Sequence, residues 1–263
     1  MRISLVQFRP ELFNIKNSVK NAISMIDKTE EDLIIFPELA FTGYAYTNMQ
    51  EVKDTSEYPK DEFAYSISTF RNFAIKNNKN IIYGFNEKSN DNYFNSSIFI
   101  KSDGSFSIYR KIHLFNREKL FFTPGDSGFF VEEFKGFNIG MAVCFDWIFP
   151  ESFRTLSILG ADFIAHPSNL VLPYCQEANK TRSIENRIFI ATSNRWGKES
   201  NKDIEYDFTG MSQLTNPNGE IIDRFSKSGN IVKTFDIDLN LSRNKYINDF
   251  NHVINDRRKE FYR

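Results

Sequence analysis

Short apolar runs alternate along this chain with segments in which apolar residues recur every three or four positions. Leu5 to Phe8 is a strand-length run. Asn14 then stands where it can cap a helix whose Ile15, Val19, Ile23 and Ile26 share one face. Asp32-Leu33-Ile34-Ile35-Phe36 is continuously apolar after its first residue, as expected of a strand covered on both faces. Phe63, Ile67, Phe70 and Ala74, at offsets of 4, 3 and 4, predict a second amphipathic helix. Ile81 to Phe85 reads as a strand, and two more flank the turn Ser102-Asp103-Gly104-Ser105. The pattern continues with strands near 128–134 and 137–143, a helix from Pro150 to Leu159, a strand at 162–166, a helix near 174–186 and a strand at 188–193. Asn216-Pro217-Asn218-Gly219 is a hairpin turn between two late strands, and a third lies near 230–236. After Asp238 the chain is polar and partly helical, too poor in apolar residues for a core of its own, so 238–263 is expected as a tail packed on something else.

Strands and helices that alternate without a Pro/Gly/Ser-rich linker, repeat or charge block imply a single α/β domain over 1–263, with two sheets and helices outside them. The 263 residues carry 33 Lys+Arg against 34 Asp+Glu, a formal net charge of -1, which gives no electrostatic case for nucleic acid or an acidic membrane as partner. Hydrophobic residues at 41% and charged residues at 25% are a globular mixture. The 28 Phe beside a mean hydropathy of -0.44 point to a core filled with phenylalanine. Cys144 and Cys175 are too few for a disulfide framework or a four-thiolate zinc site. The first residues lack the apolar run of a secretory signal, and no stretch approaches the roughly 18 apolar residues of a membrane span. The expectation is a cytoplasmic protein with reduced thiols.

Several segments could carry chemistry. Gly140 to Val143 runs as a strand into Cys144, and Phe149-Pro150-Glu151 then opens a helix. A nucleophile needs such a sharp turn, with backbone N–H groups aimed at the developing oxyanion, and a nearby helix N-terminus favours thiolate. A buried structural cysteine fits the segment equally well. Of the three histidines, His166 stands at a strand end before Pro167 and could serve Cys144 as base, whereas His113 follows Lys111 and His252 lies in the polar tail. Glu38 follows the buried strand 32–36 directly, at the edge where α/β folds place ligands, though an exposed, salt-bridged loop glutamate has the same signature. Alternation puts Tyr109, Lys111 and His113 on one strand face. Lys111 alone reads as a solvated strand-end cation, and Glu118 as a surface charge.

Taken together, a strand-end Glu, a strand-end Lys and a strand-to-helix Cys, in that order, resemble the nitrilase superfamily of carbon–nitrogen hydrolases. The resemblance rests on Phe36-Pro37-Glu38 with Thr42-Gly43-Tyr44, Tyr109-Arg110-Lys111-Ile112-His113-Leu114 and Thr123-Pro124-Gly125-Asp126. It extends through Cys144-Phe145-Asp146-Trp147-Ile148-Phe149-Pro150-Glu151, Gly160-Ala161-Asp162, His166-Pro167-Ser168, Glu185-Asn186-Arg187 and Asn216-Pro217-Asn218-Gly219. It implies a four-layer α-β-β-α sandwich of two mixed sheets, assembled as a homodimer or larger homo-oligomer through helix faces and the tail. It also implies roles: Glu38 as general base, Cys144 as nucleophile, Lys111 with the backbone N–H of Phe145 as oxyanion donors, and Glu118 as the group that positions substrate and Lys111. Neither metal nor organic cofactor is implied.

Nitrile-active relatives commonly carry a Trp-Glu pair after the cysteine, where this chain has Phe145-Asp146. The departure favours a small amide or N-carbamoyl compound as substrate, with a nitrile as the alternative. Tyr44, Phe145 and Asn169 are expected to contact substrate. Arg195 reads as half of a surface salt bridge, with a carboxylate-binding role conceivable. A cysteine peptidase using Cys144 and His166, and an inert binding protein, are the readings outside this class.

Overall fold

The computed structural model describes residues 1–27, 29 and 31–262. In chain order its strands and helices are β1 (Arg2–Gln7), α1 (Ile15–Ile26), β2 (Leu33–Ile35), α2 (Met49–Thr55), α3 (Tyr65–Asn77), β3 (Ile81–Ser89), β4 (Asn92–Ile100), β5 (Phe106–Arg110), β6 (Val131–Phe134) and β7 (Phe137–Met141). They continue as α4 (Pro150–Ile158), β8 (Phe163–Ser168), α5 (Cys175–Asn186), β9 (Phe189–Asn194), β10 (Trp196–Asn201), β11 (Ile204–Thr209), β12 (Gln213–Thr215), β13 (Ile221–Arg224) and β14 (Ile231–Asp236). The fourteen strands pair into two six-stranded sheets, ordered β14-β1-β2-β3-β4-β5 and β13-β12-β9-β8-β7-β6, with β10 and β11 as a separate hairpin. Both large sheets mix parallel and antiparallel pairs. This is the expected α-β-β-α sandwich.

The local chemistry explains the elements. The Asn14 side chain accepts from the Asn17 N–H at 3.2 Å and caps α1, whose Val19, Ala22 and Ile26 are fully buried. With Ile67, Phe70 and Ala74 of α3 they cover one face of the first sheet at Val6, Ile34, Phe36, Ile81 and Tyr83. Phe36, Phe41, Phe70 and Tyr83 form ring pairs at 5.0–5.7 Å, so the phenylalanine excess is spent on core packing. Truncating a ring such as Phe70 to Ala would cost about 3–5 kcal/mol. The opposite side of the sheet contributes Ile3, Leu5, Leu33, Ile35 and Ile82 to a second cluster that takes in the other sheet and Phe153 and Leu156 of α4. Polar bonds also cross between the sheets, as where the Ser193 hydroxyl donates to the Val6 carbonyl at 2.5 Å.

Some expectations need correction. Phe63 is 83% exposed and precedes α3, which begins two residues later, so the apolar stripe is Ile67, Phe70 and Ala74, joined by Phe73. The strand through His166 runs on to Ser168, past Pro167. Pairing with β7 stops at Ala165, so Pro167 has β9 on one side only, a place where a missing N–H is tolerated. Two short 3-10 turns, Leu239–Ser242 and Lys259–Phe261, are the helical content of the tail, whose last residue lies outside the described residues. Among the described residues no helix is long and apolar enough to cross a membrane.

The first sheet positions Glu38 by close backbone approach. The Gly84 N–H donates to the Pro37 carbonyl at 2.9 Å and the Gly84 carbonyl accepts from Ala40 at 2.8 Å, so β3 holds the segment after β2 against itself. A Cβ on Gly84 would lie 2.5 Å from the Glu38 Cα and 2.6 Å from the Leu39 nitrogen. Gly84→Ala should therefore lower stability by about 1–3 kcal/mol and misplace Glu38. A denaturant midpoint would check the first, and an unchanged midpoint would sink the argument.

Candidate active site

Four sequence-predicted residues converge: Glu38, Lys111 and Cys144 just beyond the ends of β2, β5 and β7, and Glu118 on a 3-10 turn, Asn116–Leu120. Lys111, one residue past β5, has no exposure, and its Nζ donates to Glu38 Oε1 at 2.6 Å and Glu118 Oε1 at 2.8 Å. Glu38 is also fully buried and Glu118 is 4% exposed, so neither is the surface charge that each resembles in isolation. Lys111 reaches inward because its backbone is clamped: its N–H donates to the Asn95 carbonyl at 2.9 Å and its carbonyl accepts from Gly125 at 2.9 Å. A Cβ on Gly125 would lie 2.1 Å from the Arg110 carbonyl oxygen, which gives the glycine of Thr123-Pro124-Gly125-Asp126 its physical reason.

Cys144 begins a 3-10 turn, Cys144–Ile148, separated from the end of β7 by Ala142 and Val143. Its φ of 43° is a left-handed conformation that a non-glycine residue adopts only when its surroundings enforce it. Asp146 enforces it: Oδ2 accepts from the Val143 N–H and from the Tyr109 hydroxyl, both at 2.8 Å, while Oδ1 contacts His113 Nδ1 at 2.7 Å. The His113 ring in turn stacks on Phe149 at 3.9 Å. Sequence reasoning put Tyr109 and His113 on one face but did not find Asp146 as what joins them. As an early N–H of the 3-10 turn, the Phe145 amide has no acceptor within that turn and is available to an oxyanion.

The electrostatics differ from expectation in one respect. Burial first, and then the Glu38 charge, push the Cys144 thiol well above its ordinary range, against the opposing pull of Lys111. The thiol is therefore neutral at rest, and the short turn and Lys111 do not make it a standing thiolate. Burial works against the Lys111 ammonium, but Glu118 and Glu38 outweigh it and hold it above the usual lysine range. Burial and the Glu38 charge raise Glu118, which also accepts from the Tyr44 hydroxyl at 2.5 Å. Two carboxylates sharing one ammonium cannot both be compensated. Glu38 Oε2, the oxygen not bonded to Lys111, is buried with no hydrogen-bond partner among the described residues.

His166 is placed otherwise than a base for Cys144 would be. Its Nε2 meets the Cys144 backbone carbonyl at 2.9 Å and its Nδ1 meets the Thr192 hydroxyl at 3.1 Å, so both nitrogens are occupied away from the sulfur. Burial lowers it to about 4, which keeps the ring neutral. Arg195 is likewise corrected. Far from the surface, it is fully buried, donating to Glu199 Oε2 at 2.9 Å and to the Leu39 carbonyl at 3.1 Å. Glu199 accepts from the Tyr44 and Ala45 N–H groups at 2.6 and 2.8 Å. The β10–β11 hairpin thereby holds the loop that carries Tyr44 onto Glu118.

Asn95 is a second residue missed from sequence, its Nδ2 donating to Glu38 Oε1 at 2.6 Å. A mid-strand Asn facing inward was the available signal. Phe145 and Asn169 line a depression over the thiol with Phe115, Trp147, Leu170, Val171 and Leu172. The Asn169 backbone N–H also faces the sulfur. The Tyr44 hydroxyl is engaged by Glu118 instead. No group of three or more His, Cys, Asp or Glu among the described residues is arranged to hold a metal ion.

Comparison with known proteins gives this geometry a context. The family model described as carbon-nitrogen hydrolase matches residues 2–245. A protein named nitrilase from Pyrococcus abyssi is 37% identical over 266 residues, covering 100% of this chain and 99% of its own. An N-carbamoylputrescine amidase from Arabidopsis thaliana is 28% identical, covering 88% of this chain and 83% of its own. Among solved structures, an amidase from Nesterenkonia sp. superposes with a TM-score of 0.83 at 21% identity, over 99% of this chain and 94% of that one.

The buried neutral His166 predicts how stability depends on pH. Its folded-state value near 4 lies below the ordinary 6.5, so between these values the unfolded chain binds more protons. Its share of stability is complete above about pH 6.5 and is lost as pH falls toward 4, by a total of about 3 kcal/mol. Denaturant midpoints from pH 4 to 7 should show a flatter dependence in His166→Gln than in wild type, and parallel curves would refute this. Alkylation of Cys144 by iodoacetamide, mapped by mass, should show no inflection near pH 8.5, the ordinary thiol value.

Proposed function

The chain belongs to the carbon–nitrogen hydrolase family, and on that premise we propose that it hydrolyses the non-peptide C–N bond of a small linear amide or N-carbamoyl compound through a thioester on Cys144. The observation that carries this reading is the buried cluster in which Lys111 bridges Glu38 and Glu118 beside the Cys144 thiol, while Glu38 keeps one oxygen unpartnered.

In the proposed cycle Glu38 Oε2 takes the thiol proton as the sulfur attacks the carbonyl carbon. Because the thiol is neutral at rest, proton transfer and attack are coupled, and the charge leaving sulfur appears on the carbonyl oxygen. Lys111 Nζ and the Phe145 N–H stabilise that oxyanion. Collapse of the intermediate breaks the C–N bond, and Glu38 gives its proton to the departing nitrogen, which leaves as ammonia. Glu38, again a carboxylate, takes a proton from water as its oxygen attacks the thioester, and the proton returns to sulfur as the acid leaves. Glu118, held by Tyr44, keeps Lys111 oriented while Glu38 changes protonation. Phe145 and Asn169 contact the substrate directly, and Tyr44 acts on it through Glu118.

One observation favours the alternative of a nitrile substrate: the Pyrococcus relative bears the name nitrilase. Against it stands Phe145-Asp146 after the cysteine. The ends of the reaction separate the readings, since carbamoyl compounds release CO₂ with ammonia and nitriles consume two waters. We also read 1–263 as one hydrolase domain that pairs with a second copy. Exposed Leu241, Ile247 and Phe250 in the tail support a subunit contact there.

Cys144→Ala and Glu38→Gln should each abolish ammonia release from every active amide, and Lys111→Ala should cost at least the ~10²–10³ typical of one oxyanion donor. His166→Gln should retain activity that is measurable at pH 7. Intact mass should show wild type, but not Cys144→Ala, gaining a substrate-derived acyl group. The opposite pattern, with His166 essential and Glu38 dispensable, would overturn the mechanism in favour of a cysteine–histidine peptidase.

A further inference from the structure

His166 is a buried titratable group that the proposed cycle leaves without a task. Its ring meets Phe153 edge-on at 5.5 Å between centroids, and its two nitrogens reach the Cys144 carbonyl and the Thr192 hydroxyl. The Thr192 hydroxyl in turn meets Asn179 Nδ2 at 2.8 Å, and both of these residues are buried as well. Three hydrogen bonds thus join α5, β9 and β8 to the turn that carries the nucleophile.

One assignment of protons satisfies all three bonds. A carbonyl oxygen accepts, so His166 Nε2 carries the hydrogen. Burial keeps the ring neutral, so Nδ1 is a lone pair and the Thr192 hydroxyl donates to it. The Thr192 oxygen then accepts from Asn179, whose amide nitrogen only donates. Every bond therefore points the same way, from Asn179 toward Cys144. Hydrogen bonds in such a row polarise one another.

The Cys144 carbonyl belongs to the same peptide unit as the Phe145 N–H. That unit is planar and trans, so its C=O and N–H point in opposite directions, and pinning the oxygen on one side aims the hydrogen on the other. A hydrogen bond to the oxygen also draws electron density from the nitrogen and makes its N–H a stronger donor. Asp146 fixes the peptide before Cys144 through the Val143 N–H, and His166 fixes the peptide after it.

We propose, resting on the reading above in which the Phe145 N–H stabilises the oxyanion, that His166 is a positioning residue for that donor, and that Thr192 and Asn179 hold it in the tautomer that serves. The ring takes no proton from the thiol and touches no substrate. A base for Cys144 would turn its lone pair toward sulfur, whereas here the lone pair faces Thr192.

Thr192→Val tests this at a side chain outside the catalytic cluster, keeping the branched shape and removing the hydroxyl. Ring-nitrogen shifts of protein labelled with ¹⁵N-histidine read the tautomer, the His166 signals being those lost in His166→Gln. Wild type should show Nε2–H, and Thr192→Val a mixed or Nδ1–H ring. Turnover is followed as ammonia release from whichever compound wild type hydrolyses fastest in a series of primary amides and N-carbamoyl amines. In Thr192→Val kcat should fall about tenfold, less than the ~10²–10³ typical of losing an oxyanion donor outright. KM should stay within threefold, and Thr192→Ser, which restores the hydroxyl, should return both tautomer and kcat to within threefold of wild type. An Nδ1–H ring in wild type overturns the proposal, and this measurement stands even where Thr192→Val does not fold. Wild-type kcat in Thr192→Val also overturns it, as does a loss that Thr192→Ser leaves unrestored, which marks a merely structural role. Failure of the hydrolase reading looks different: wild type would release no ammonia from any member of the series, removing the oxyanion role, while the tautomer still followed the Thr192 hydroxyl.

Discussion

The arrangement depends on one buried ion cluster. Lys111 donates to Glu38 and Glu118 where water reaches neither Lys111 nor Glu38 and barely touches Glu118. Taking three charges out of water is expensive, and their mutual attraction repays it only when geometry is tight and the remaining polar atoms are paired. That requirement explains the surrounding investment in polar groups. Asn95 donates to Glu38, Tyr44 donates to Glu118, and Glu199 holds the Tyr44 backbone under the grip of Arg195. Removing one partner would leave an uncompensated buried charge, which is why this cluster tolerates less change than an exposed pair would.

A second constraint is conformational. Leu39, next to Glu38, and Cys144 itself both have φ of 43°, so strained backbone stands on both sides of the site. Each is fastened by a neighbour with no role in chemistry: β3 passes hard against Glu38 through Gly84, and Asp146 bonds back to the Val143 N–H from within the turn. The sandwich supplies rigid strand ends, and these fasteners convert strand ends into a fixed separation between carboxylate, ammonium and sulfur.

Much of this was legible in the chain. Continuous apolar runs gave the sheet strands, Asn14 gave the start of α1, and the ordered Glu, Lys and Cys gave the residues that meet. What escaped notice was polar and non-local. The β10–β11 hairpin has a turn at Lys202-Asp203 without glycine, and its charged residues read as surface, yet Glu199 and Arg195 are buried because each satisfies the other and the loop beyond. The seven-residue α2 buries only Val52 and Thr55, too few to leave a periodic trace. Asn95 and Asp146 carry no pattern of their own, since Asn95 acts on Glu38 and Asp146 joins the nearby Val143 N–H to Tyr109, each through a partner more than thirty residues away. His166 had the right residue type near the cysteine but faces a carbonyl, and only geometry separates those cases.

The first sheet is closed by the pairing of β1 with β14, which sets Arg2 opposite Asp236 and Gln7 opposite Ile231. Contacts that span almost the whole chain pay their loop-closure entropy late, so folding of such a topology is slow relative to helical proteins of similar size. On the ribosome, β1 emerges long before β14 and waits without that edge partner until β14 has been synthesised. The edge of β1 that β14 later covers is thus open to wrong pairing while the chain is being made.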